Sequence, residues 1–176
     1  MPKRIVVFCI ALTCSLSACA LGDVTVNTTP LPPITLPPPP ALNLVGSCDD
    51  TKALETWLQV STELRENFQT QMNAAAAKSK NDMYGDIINL SALRDSGFGV
   101  ATPDCAADAG MKLSDAMNLA VGAFQSFFNS TDSSNLDSTV VDINYKLDSV
   151  QATQIELVKR MDSQFQTRYV TPTPSP

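Results

Sequence analysis

The sequence predicts an all-α fold: an antiparallel four-helix bundle of up-down-up-down connectivity, preceded by a disordered proline-rich N-terminal stalk. Three observations carry that expectation. Between Leu44 and Tyr169 the only proline is Pro103, and proline breaks helix interiors. Apolar residues recur through the same region at steps of three and four, the period of a helix face. Short polar or glycine-bearing breaks divide the region into four such segments, and short connections favour antiparallel neighbours.

The first segment opens with Asp49, Asp50 and Thr51, acids and a hydroxyl suited to a helix start. Its stripe is Leu54, Trp57, Leu58, Ser61, Leu64, Phe68, Met72 and Ala75, and Lys78-Ser79-Lys80-Asn81 ends it. The second carries Met83, Tyr84, Ile87, Ile88, Leu90 and Leu93, with Gly97 and Gly99 expected to terminate it. The third begins at Thr102-Pro103-Asp104-Cys105, which offers a capping hydroxyl, a proline for the first helical position and an acid near the positive helix end. Its stripe runs Ala109, Leu113, Ala116, Met117, Ala120, Phe124 and Phe127, and the polar run from Asn129 to Asn135 is a turn signal. The fourth places Val140, Ile143, Leu147, Val150, Leu157, Val158, Met161 and Phe165 on one side. Asn144 and Gln154 lie on that core line, where polar residues fix register. Asp108 with Lys112, Asp142 with Lys146 and Glu156 with Arg160 are acid-to-base pairs at helical spacing.

The N-terminus reads as an export signal over residues 1–18. Lys3 and Arg4 precede an apolar run from Ile5 to Leu12 that is too short to span a bilayer, which takes about 20 apolar residues. Leu16-Ser17-Ala18-Cys19 follows, and it resembles the lipobox of bacterial lipoproteins. The resemblance implies that Cys19 becomes the first residue of the exported chain and carries a thioether-linked diacylglycerol, with a further acyl group such as palmitate on its amine. Several acyl chains anchor stably where one binds only marginally. Ala20 is not the aspartate associated with inner-membrane retention, so the resemblance favours the outer membrane or cell surface. Loss of Lys3 and Arg4 takes the basic count from 12 to 10 against 18 acids.

Residues 19–43 are expected to be a lipid-anchored spacer. Seven of the 12 prolines fall between Asn27 and Pro40, which favours extended polyproline II and a reach on the order of 75 Å. Residues 44–169 form the bundle domain, and the proline-rich tail 170–176 is expected to be disordered. Cys9 and Cys14 leave with the signal, so the exported part retains Cys48 and Cys105 beside the lipidated Cys19. A pair in an oxidising compartment reads as a disulfide. It would join the starts of the first and third helices, which an up-down-up-down bundle puts at one end. Loop-closure entropy over such a loop is worth about 4 kcal/mol.

Composition excludes several chemistries. The chain has no histidine, so Ser-His-Asp, Cys-His and histidine-zinc sites are absent. A net charge of -6 without a basic patch argues against nucleic acid as a partner. No cofactor or metal is expected: Glu63 with Glu66 and Asp82 with Asp86 read as solvated faces, and Asp132 to Asp137 lacks the ligand spacing of a calcium loop. Trp57, Phe124, Phe127 and Phe128 are the candidate contact or pocket residues, and Phe127 and its neighbour Phe128 cannot both face one stripe. The expected function is non-enzymatic: a lipid-anchored extracytoplasmic bundle that works by protein-protein contact, at the surface or as an accessory subunit of a membrane complex. The alternative is a carrier or sensor holding a small apolar ligand between the helices.

Overall fold

Each amphipathic stripe forms one helix: α1 (Thr51–Ala76), α2 (Tyr84–Gly99), α3 (Ala107–Asn129) and α4 (Leu136–Tyr169). The computed structural model describes residues 31–46, 51–130 and 136–169, with side chains of α4 as far as residue 161. α1 and α3 each lie beside both α2 and α4, giving the up-down-up-down bundle that the short connections require. The larger core cluster is built from Phe68, Met72, Ile87, Leu90, Met117, Phe124, Ile143 and Leu147. A smaller one joins Leu54, Trp57, Leu58, Ala106, Ala109 and Leu157 at the end where α1 begins.

Polar residues fix the register of α1 against α4. The Gln154 amide donates to the buried Ser61 hydroxyl at 2.8 Å. Farther along, Asn144 donates to Asn73 at 2.9 Å and accepts from Gln69 at 3.0 Å. A one-turn slip would break all three bonds and leave the Gln154 amide in the core without a partner, which costs about 1–3 kcal/mol. Asp108 and Lys112 pair at 2.8 Å as their spacing predicts. Glu156 instead meets Lys159, at 2.7 Å, and Asp142 and Lys146 form no ion pair among the described residues.

Three local expectations change. α2 runs through Gly97 to Gly99 with neither in a left-handed conformation. Gly97 is there for closeness: a β-carbon would sit 2.7 Å from both Leu64 Cδ2 of α1 and Met117 Cε of α3. The Thr102 hydroxyl does not cap α3. It accepts from the Trp57 indole at 3.1 Å and donates to the Val100 carbonyl at 3.1 Å, because a buried indole N–H needs an acceptor. The helix therefore starts later, at Ala107, after a 3-10 turn at Asp104–Ala106 that the extended Pro103 introduces.

The largest correction concerns the stalk. Residues 19–30 lie outside the described part, but from Leu31 onward the proline-rich segment belongs to the bundle rather than standing free of it. It is extended without regular structure, as its prolines require, and it crosses the fold as a strap. Ile34 is 3% exposed and joins the main core cluster, with Leu36 packed against it. The Ile34 N–H donates to Asn129 Oδ1 at 2.9 Å, while its carbonyl accepts from Asn129 Nδ2 at 2.8 Å and Gln125 Nε2 at 3.0 Å. Arg94 of α2 donates to the Pro37 carbonyl at 3.2 Å. Beyond it, Asn43 and Val45 pair with the backbone at Phe98 and Thr102, where Leu44 and Thr102 form a parallel bridge. Gly46, with φ at 56°, turns its carbonyl to the Asp104 N–H. The dimensions match. Polyproline II from Ile34 to Leu42 spans about 25 Å and α3 from Asn129 to Gly110 about 28 Å. Leu42 indeed lies against Gly110.

Candidate functional site

The four aromatics singled out above do not converge. Trp57 belongs to the smaller core cluster, whereas Phe124 and Phe128 are buried in the larger one. Phe128 meets Tyr84 edge to face at 5.7 Å, and Phe127 is half-buried beneath the Lys80 ammonium, 5.4 Å from its ring centre. Adjacent residues on a helix point about 100° apart, so Phe128 takes the core and Phe127 the flank. The four carboxylates are held singly. Glu63 accepts from Gln59, Glu66 from Arg65, Asp82 from Ser79 and Asp86 from Lys78. Among the described residues no three His, Cys, Asp or Glu side chains gather into a metal-binding group. The calcium-loop comparison at Asp132 lies mostly outside the described residues, as do Cys19 and Cys48.

Cys105 is disulfide-bonded. The carbonyl of Gly46 sits 3.2 Å from the Asp104 nitrogen, so the strap brings the chain leading to Cys48 alongside Cys105. Convergence of the diagonal helices is not needed for this approach, because the strap rather than α1 makes it.

The surface feature best suited to contact lies between α3 and α4. A solvent-open groove of about 300 Å³ is lined by Lys112, Asp115, Ala116, Tyr145, Lys146 and Ser149. Tyr145 is 78% exposed, and Val141, one turn earlier, is 66% exposed. Leu119 is exposed one turn along α3 from the groove-lining Asp115 and Ala116. Sequence reading missed these three because Val141, Tyr145 and Leu119 fall off the core stripes, where a single apolar residue carries no signal by itself. It also missed Asn129, Gln125 and Arg94, the residues that grip the strap. Asn129 read as a turn former, and nothing in a helical pattern marks a side chain that will receive an extended segment.

Comparison with protein-family models, curated proteins and solved structures finds no match for the chain. No helix among the described residues is long and apolar enough to cross a membrane.

Proposed function

We propose that the protein is a lipid-anchored extracytoplasmic helical bundle, held to the membrane through acyl chains on Cys19 and acting by protein-protein contact at the cell surface or as an accessory subunit of a membrane complex. The observation that carries the anchor is Leu16-Ser17-Ala18-Cys19 behind the charged and apolar run from Lys3 to Leu12. Ala20 favours the outer membrane. The contact half draws support from Val141 and Tyr145, large side chains left in water beside an open groove. Aromatic residues flanked by apolar ones supply much of the energy in protein interfaces.

The anchor is tested by Cys19→Ala, which should move the protein from the membrane fraction to the soluble one. Retention of the variant on membranes would overturn the anchor. For the contact face, the protein is extracted gently and captured through its C-terminal tail. Val141→Asp with Tyr145→Ala should reduce any stoichiometric co-purifying protein at least tenfold, about 1.4 kcal/mol or more. An unchanged yield would remove α3 and α4 as the contact face.

A further inference from the structure

We infer that the groove between α2 and α3 is a peptide-binding site that the strap fills in cis. Its partner is an extended segment of another protein, with an aliphatic side chain at the place of Ile34 and backbone N–H groups where the strap has Pro37 to Pro39. The site lies on the opposite flank of α3 from the groove beside Tyr145, so it is additional to the contact face proposed above.

The groove addresses main chain. Asn129 takes both the N–H and the carbonyl of Ile34, Gln125 takes the same carbonyl, and Arg94 donates to the Pro37 carbonyl. Asp95 and Ser91 hold the Arg94 guanidinium from within α2. Such bonds do not depend on the side chains of the segment received, so any extended chain offers them. Selectivity is left to the core site of Ile34, to Leu36 beside it and to Leu42 against Gly110. Between these points the strap is shallow, with Pro37 to Pro40 exposed.

One buried atom marks the strap as an imperfect occupant. Asn118 Oδ1 is buried and has no hydrogen-bond partner among the described residues. Asn118 stands seven residues before Gln125 and eleven before Asn129, two and three turns along one line of α3. It also stands eight residues after Gly110, where Leu42 lies. Eight residues of helix span about 12 Å, which polyproline II covers in about four residues. Counting back from Leu42 reaches Pro38, and counting forward from Ile34 reaches Pro37 to Pro39. Proline nitrogens carry no hydrogen. The strap therefore brings no backbone donor to the level of Asn118, and a buried acceptor left unpaired weakens whatever covers it. A segment with ordinary peptide N–H groups there supplies the donor and keeps every other bond. The advantage of the strap is proximity. A segment of the same chain is present at an effective concentration on the order of millimolar, so a partner binds in proportion to the time the groove is open.

The test uses the full chain with 13C-labelled isoleucine methyls and two synthetic peptides of residues 31–42. One carries Pro37→Ala, Pro38→Ala and Pro39→Ala; the other has the same three alanines N-methylated, which removes their N–H groups. The first peptide should move the buried Ile34 methyl signals to the positions of a solvated isoleucine, and should bind about fivefold more tightly than the second, or better. Asn118→Ala should erase that difference. Ile34→Ala, which loosens the strap, should tighten binding of the first peptide about tenfold or more; if that variant fails to fold, the two peptides on the unaltered chain still decide. Ile34 signals that stay in place under a millimolar excess of the first peptide would overturn the site. Equal binding of the two peptides, or a difference that survives Asn118→Ala, would overturn the partner and leave the strap of a second copy as the occupant.

Discussion

Arg65 and Arg94 are the charged side chains that the core accepts among the described residues, and they are bound in different ways. Arg65 is 3% exposed and reaches the exposed Glu66 at 3.2 Å and Gln69 at 3.5 Å, while its Nε has no hydrogen-bond partner. A buried cation so thinly paired costs desolvation that its bonds only partly offset. Arg65→Met, an apolar chain of similar reach, is expected to leave stability unchanged or raise it by about 1–3 kcal/mol in urea unfolding. Arg94 has fuller company: Asp95, Ser91 and the Pro37 carbonyl. Arg94→Met should cost about 1–3 kcal/mol, because Ser91 and the Pro37 carbonyl of the strap lose their shared donor. The reverse order of the two would refute the distinction. On the surface, Lys159 beside Glu156 holds that carboxyl below the usual glutamate range, first by its hydrogen bond and then by its charge, with Arg160 adding a smaller pull. A lowered folded value means that the pair's contribution is complete above the ordinary glutamate pKa and disappears as pH falls through the folded one. Carboxyl NMR titration should find Glu156 titrating below the ordinary glutamate range, and Lys159→Ala should return it most of the way; an unmoved midpoint would count against the pairing.

At the scale of elements, the strap depends on one side chain and two amides. Ile34→Ala should cost about 2–4 kcal/mol, the usual range for emptying a buried aliphatic site. Asn129→Ala should cost about 1–3 kcal/mol by leaving the Ile34 N–H and carbonyl short of partners. Both are read by urea unfolding, and a loss under half a kcal/mol in each would mean that the strap lies on the bundle without stabilising it. The helices were legible because packing repeats: most turns of α1 from Leu54 to Ala75 put an apolar residue on one line. Arg65 sits on that same line, between Ser61 and Phe68, and only its charge concealed its burial. The strap was not legible, since proline specifies an extended backbone equally well in water or in a groove. A faint signal was present in Leu31, Ile34 and Leu36, large apolar residues that a spacer in water has no use for. Gly97 was misread for a similar reason: a glycine near a helix end looks the same whether it terminates the helix or admits a neighbour. Thr102 read as a cap because caps are local, whereas its bond to Trp57 joins residues 45 apart.

At the scale of the molecule, the strap moves the start of the domain from residue 44 back to Leu31. Under the proposed anchor, a free spacer through residue 43 would have had a reach on the order of 75 Å, whereas docking from Leu31 leaves at most about 40 Å of chain for it. The boundary between tether and domain is therefore a measurable quantity. Removing residues 1–30 leaves every described contact of the strap in place, and the melting temperature of the remaining chain is expected to equal that of the full one. Removing residues 1–43 takes away the burial of Ile34 and Leu36 and the bonds to Asn129, Gln125 and Arg94. The prolines of the deleted segment had little conformational entropy to lose on docking, so little offsets the lost contact energy. A net loss of about 3 kcal/mol would lower the melting temperature of a domain this size by roughly 10 °C. Both truncations retain Cys48 and Cys105, so the expected disulfide can form in each and the difference isolates the strap. Calorimetry of the two truncations under non-reducing conditions decides the matter. A drop on passing from the first to the second locates the domain boundary before Leu31; equal melting temperatures would return residues 31–43 to the spacer.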